Sequence, residues 1–286
     1  LNSPDRPAAQ WHARLSLAVR LDDAQRCVVH ASHVGPLRVL KTLYPEGVRV
    51  AHQVIVHPPG GIVGGDRLEI ALDLQPHAHA LVTTPGATRF YRSAGDVGAQ
   101  QVSATVAAGA RLEWLPLETI AHSGCQAENH ARFDLAPGAE MIGWDLLALG
   151  LPAAGEPFAA GRFTQHLELP GLWLERGVID SADTRLLCSP LGLAGHTALL
   201  TLWFACGQAL PDARVEALVE AARDAVRSAG DNGVIAGVTA LQQRIVVLRA
   251  LAHRVEPAMT LAQAVRARWR ETAWQLEPTA PRVWRT

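Results

Sequence analysis

The chain has 286 residues, of which 49% are apolar and 19% charged. That balance describes a folded protein with a substantial core and sets aside a disordered segment. Lysine and arginine together number 26 against 27 acids, for a formal charge of -1, so the basic surplus of a nucleic-acid binder is missing.

The first residues, 1–13, read as a flexible N-terminus with no apolar signal-peptide core. From Arg14 to about Cys206 the dominant signal has period two. Leu15, Leu17, Val19 and Leu21 alternate with small or polar residues, and so do Leu68, Ile70, Leu72 and Leu74. Further strands are expected at 52–56, 79–83, 101–106, 111–115, 163–169, 172–179 and 199–204, separated by Gly, Pro and Asp turns. Three stretches share one design, an alternating strand, a short turn and a second apolar strand, with turns ending at Ala78, Ala110 and Ala139. Units of about 30 residues that cannot bury their own faces tend to stack. A mainly β, β-helix-like or layered body is therefore expected, with three ordinary hairpins in a sandwich as the alternative. The C-terminal third changes period. Val215, Leu218, Val219, Ala222 and Val226 form one helical face between Asp212 as N-cap and Gly230 as stop. A strand at 245–251 and a second helix at 257–274 follow. No linker interrupts the chain, so a single domain is expected: a β body over 14–206, with helices and a strand over 207–286 packed on it.

Several chemistries are excluded by residue type. Lys41 is the only lysine and stands between Leu40 and Thr42, so there is no Gly-Lys-Ser/Thr phosphate loop. Cys27, Cys125, Cys188 and Cys206 form no C-x-x-C pair, as expected of buried small hydrophobes in a reducing compartment. No apolar run reaches membrane-spanning length, and a cytoplasmic protein is expected.

The densest local motif is HPPGGIVGGD over 57–66. Strand periodicity follows it where a dinucleotide fingerprint would need a helix, so the glycines read as a tight inter-strand loop. Asp66, which closes the loop, is either a hydrogen-bonding cap or a functional carboxylate. His77 and His79 are expected on one strand face, where two imidazoles could hold a metal ion; ordinary strand residues are the simpler alternative. Ser123 follows His122 with no nucleophile elbow around it. Asp145 and Glu175 lie in strongly apolar strands, where an acid needs a partner or a wet cavity, and a bridge from Glu175 to Arg176 or another arginine is one such partner. Glu118 and Glu156 are weaker members of this group.

HPPGGIVGGD (57–66), TTPGATRFYRS (83–93), GARLEWLPLETI (109–120), IGWDLLALGLPAAGE (142–156) and PRVW (281–284) together resemble the UreD (UreH) family of urease accessory proteins, in order and with matching spacing. The resemblance implies a β-rich, chaperone-like scaffold that is not an enzyme. It acts with UreF and the GTPase UreG on apo-urease to insert nickel, with UreE an indirect source of the metal. No tightly bound cofactor is implied, and Ni²⁺ would be held only in transit. Internal acidic and polar residues would line a nickel path, and the matching positions are Asp66, Asp145, Glu175 and Thr84. The chain departs from the family pattern at Arg89 for lysine, Leu117 for glutamine and Ala51 for cysteine, the last removing a thiolate ligand. A metal-dependent enzyme using His77 and His79, and a passive docking scaffold with no ion path, are the competing expectations.

Overall fold

The structure, a computed structural model, describes residues 11–285; residues 1–10 of the expected flexible N-terminus lie outside it. The first strand, β1 (His12–Leu21), pairs with β2 (Cys27–Val34), and short β3 (Arg38–Val39) leads to β4 (Ala51–Val56). Then come β5 (Arg67–Leu74), β6 (His79–Thr83), β7 (Thr88–Phe90), β8 (Gly98–Val106), β9 (Arg111–Leu115), β10 (Thr119–Ala121), β11 (Cys125–Leu135) and β12 (Glu140–Leu151). β13 (Glu156–Pro157), β14 (Gly161–Leu169), β15 (Trp173–Asp180), α1 (Thr184–Cys188) and β16 (Ala198–Cys206) close the β body. The C-terminal part holds α2 (Asp212–Ala229), β17 (Val234–Leu241), β18 (Ile245–Ala252) and α3 (Val255–Trp269), which runs on into a π-helical turn, Arg270–Trp274.

The body is a solenoid-like stack. One sheet has the order β15-β14-β11-β8-β5-β1-β2, and the other runs β17-β18-β16-β12-β9-β6-β4-β3. The chain alternates between them, so β5, β8 and β11 lie parallel in the first sheet while β6, β9 and β12 lie parallel in the second. The register pairs His79 with Arg111 and Arg111 with Glu140, each one residue after the repeating alanines. The sequence repeat is therefore the coil of the stack, and the sandwich of hairpins is excluded. β7, β10 and the end of β12 form a third parallel ladder at the corner.

Alternation gives each sheet its inner face. Leu15, Leu17, Ile70, Leu72, Val102, Phe133 and Phe163 fill the space between the sheets. The second sheet is apolar on both faces: Ile142, Trp144, Leu202, Phe204 and Leu248 turn outward under α2 and α3, which cover them with Leu218, Ala222, Leu261, Val265 and Trp269. Three layers result. α2 begins at Asp212 and stops at Gly230, whose φ of 62° suits a residue without a Cβ. Among the described residues no helix is long and apolar enough to cross a membrane.

Three differences from the sequence-based expectation have local causes. β2 was not anticipated because its edge position leaves His30, Ala31, Ser32 and His33 exposed, without an apolar alternation to read. β17 is likewise an edge strand, interrupted by Gly237. His77 does not share a strand face with His79: it sits exposed in the preceding turn at φ 63°, and only His79 enters β6. The shared-face pair is thereby lost.

The helical layer is fixed to the second sheet by buried charge. Glu113 of β9 is fully buried and accepts from Arg266 Nε at 2.8 Å and from Arg270, with His79 Nε2 at 3.0 Å. Arg270 also pairs with Glu46, whose Oε1 lies 2.6 Å from His52 Nε2. Burial would raise the Glu113 pKa, but Arg266, His79 and Arg270 outweigh it and hold the carboxyl well below the ordinary range. Burial lowers the His79 pKa against the pull of Glu113. Removing one partner of such a set leaves uncompensated charge in the interior. Glu113→Ala is therefore expected to lose roughly 3–5 kcal/mol of stability, read as a lowered urea midpoint; an unchanged midpoint would show that the cluster does not hold the layers together.

Candidate functional site

Between the two sheets, one register level is polar on three of its four strands. Leu68, Gln100, Asn129 and Gln165 pair successively across β5, β8, β11 and β14, and all four side chains point inward. Gln100 Nε2 donates to Asn129 Oδ1 at 3.2 Å, and Asn129 Nδ2 donates to Gln165 Oε1 at 3.2 Å. The same Asn129 nitrogen donates to Asp145 Oδ2 at 3.1 Å, across the gap to the second sheet. On that sheet Asp145, Thr201 and Arg249 pair across β12, β16 and β18. Thr201 Oγ1 donates to Glu175 Oε1 of β15 at 3.2 Å, and Arg249 pairs with the other oxygen of Glu175. A seam of polar side chains thus runs from Gln100 to the exposed guanidinium of Arg249, joined by hydrogen bonds except between Asp145 and Thr201, which strand pairing sets side by side, and it spans roughly 15 Å at the usual inter-strand spacing.

Asp145 is the unusual member of the seam. Its acceptor contacts are with neutral amides, whereas Glu175 has a cation beside it. Burial pushes the Asp145 carboxyl up to about 6; the amides of Gln165 and Asn129 oppose the rise, and the charge of Glu175 adds to it. An acid so placed changes charge near neutrality and carries no fixed counter-ion.

At its inner end the seam meets a cavity of about 240 Å³, lined by Gln100, Thr84, His57, Leu68 and Trp114 among others. Thr84 Oγ1 accepts from Leu117 N and donates to Gly86 O, both at 2.9 Å, so it closes the turn that forms one wall. Asp66 is 2% exposed and lies off the seam. Its two oxygens accept from Trp11 N at 2.9 Å and Val63 N at 3.0 Å, tying the glycine loop to the start of the first sheet. Of the four residues singled out from the sequence, then, Asp145 and Glu175 come together, Thr84 reaches the adjoining cavity, and Asp66 acts on backbone.

The remaining sequence candidates are scattered. Glu118 lines a separate cavity with Gly150, Thr197 and His253, while Glu156 is exposed in β13. Ser123 Oγ accepts from Ala160 N at 3.1 Å, and His122 stacks on Tyr91, so these neighbours form no catalytic pair. Among the described residues no three His, Cys, Asp or Glu side chains converge in a metal-holding group. The seam instead offers separated oxygen donors, which suit weak contact with a hard or borderline dication. Gln100, Asn129 and Gln165 were missed from the sequence although the signal existed: Leu68, Gln100 and Asn129 repeat at the same offsets as Ala78, Ala110 and Ala139.

Comparison with known proteins gives one consistent result. The family described as UreD urease accessory protein matches residues 12–285. Urease accessory protein UreD of Leptothrix cholodnii is 60% identical over 279 residues, covering 96% of this chain and 99% of its own. The proteins of the same name from Paracidovorax citrulli and Methylibium petroleiphilum are 56% and 55% identical over the same shares of both chains.

The Asp145 pKa has a checkable consequence. Its folded value, about 6, lies above the ordinary 3.8, so between these pH values the folded state binds the proton more readily than the unfolded chain. The associated stability is present at low pH and lost as pH rises through about 6. Asp145→Asn, which cannot ionise, should show a flatter stability profile in that window in urea unfolding followed against pH. Parallel profiles for the two proteins would contradict the assignment.

Proposed function

The chain belongs to the UreD urease accessory protein family, and from that premise we propose that it passes nickel toward apo-urease through the polar seam between its sheets. The protein works as a chaperone-like scaffold in the cytoplasm, in a complex with UreF and UreG. UreG supplies GTP hydrolysis, in keeping with the lack of a phosphate-loop lysine here, and UreE feeds the metal in indirectly. Nickel is cargo: it enters and leaves without a resident site, and no bond of a substrate is made or broken.

One observation carries this reading above the docking scaffold: a half-buried carboxylate, Asp145, held by neutral amides at the centre of a polar level. A passive scaffold has no use for an acid that is costly to ionise where it stands. A dication beside Asp145 removes that cost, because its charge favours the carboxylate. Amide and carboxylate oxygens bind nickel weakly compared with a thiolate or imidazole cage, so release is fast. Glu175 then receives the ion as Arg249, whose side chain is 60% exposed, swings into solvent. Thr84 shapes the adjoining cavity. Asp66 fixes the loop.

Neutralising the seam tests the proposal. In the reconstituted maturation system Asp145→Ala with Glu175→Ala should lower the nickel content of urease at least about tenfold, the scale of metal-ligand support, with UreF and UreG still co-purifying. Adding Asp66→Ala should lower it further only through the loop it anchors. Full nickel content in the triple variant would leave this chain a docking role alone.

A further inference from the structure

His57 stands where β4 gives way to the Pro58-Pro59-Gly60-Gly61 turn, and its ring lines the cavity at the inner end of the seam. Its Nε2 is buried and has no hydrogen-bond partner among the described residues. Such atoms are uncommon in native structures and each calls for an explanation. The backbone that carries the ring is well fixed. His57 O accepts from Gly60 N at 2.8 Å, and Gly61 packs so closely on the Tyr91 ring that a Cβ there would lie 2.1 Å from it. The turn therefore holds the backbone from which the imidazole reaches the cavity.

The charges around the ring indicate what it is suited to bind. Burial lowers the His57 pKa, while the nearby Asp66 carboxylate pulls the other way. A neutral imidazole has a lone pair to give and no charge with which to attract an anion. Arg89 also lines the cavity, but at an exposed position where solvent screens it. Apolar walls at Ile55, Ile62, Leu68 and Trp114 leave few polar groups on the space besides Arg89: His57, Thr84, Thr88 and Gln100. Gln100 is the residue that donates to Asn129, the partner of Asp145.

We propose that this cavity is the landing site of the seam for a divalent transition-metal ion, with His57 Nε2 as its nitrogen ligand. The inference rests on the seam as an ion path and adds its point of entry. One imidazole in a cavity with room for ordered water selects a borderline ion such as nickel over magnesium or calcium, which prefer oxygen. With a single protein nitrogen the site holds the ion briefly, then yields it to the amide and carboxylate oxygens beyond Gln100.

The test uses the full chain in complex with its partners, titrated with Ni²⁺, reading both nickel per urease and the nickel concentration for half-maximal loading. His57→Gln, which keeps a polar side chain of similar reach, should raise the half-maximal concentration about tenfold or more while the plateau and co-purification stay unchanged. His77→Gln, at an exposed position, should move neither. An unchanged half-maximal concentration in His57→Gln, together with lost loading in Asp145→Ala, overturns the landing site and leaves the seam standing. Unchanged loading in both variants overturns both. A lowered plateau at an unchanged half-maximal concentration assigns His57 a structural role and equally overturns the proposal.

Discussion

When one coil lies on the next in parallel register, an inward side chain has three sets of neighbours: its counterparts on the coils before and after it, and the sheet opposite. That constraint governs the interior. The inward levels of the first sheet are apolar wherever they can be filled by packing alone, as in the row Ile70, Val102 and Ala131. A lone polar residue at such a level would leave its hydrogen bonds unmade. Gln100, Asn129 and Gln165 avoid this by occupying successive coils at one level, where each amide answers the next. Once that ladder exists, a carboxylate on the facing sheet has donors without a cation. The acid at Asp145 is thus a consequence of the stack.

The same stack leaves its second sheet apolar on both faces, and α2 and α3 must cover the outer one. Hydrophobic area alone would let those helices slide. Directional contacts fix their position: Glu113 with Arg266 and Arg270, Glu140 with Arg214, and the indole of Trp274 on Glu140 at 2.6 Å. The sheet thus separates two kinds of interior charge. Toward the helices, acids are paired with guanidiniums. Toward the other sheet, Asp145 is paired with amides and retains the capacity to respond to an arriving cation or proton.

Much of this was legible in the sequence. Period-two alternation located most strands, and the 30-residue repeat at Ala78, Ala110 and Ala139 corresponds to the coil. Asp145 and Glu175 stood out because acids in apolar strands require an account. What escaped had weak local signals. β2 and β17 are edge strands whose side chains do not alternate sharply in polarity. Asn129 lies among ordinary polar residues in QAENHARFD, and its role arises only when the coil offset is applied to it. Arg266 and Arg270 carry no local sign of burial, and they point into the protein because Glu113 and Glu46 lie there. Asp66, read from the sequence as either a cap or a functional carboxylate, spends both oxygens on backbone as a cap does.

The most direct test of the central claim is anomalous diffraction at the nickel absorption edge, from crystals of this chain with its partners after brief exposure to Ni²⁺. Density between the sheets, beside Asp145 and Asn129, is the predicted result. Density confined to surface imidazoles, such as the stacked pair His130 and His166 on the outer face of the first sheet, with none between the sheets, would contradict it.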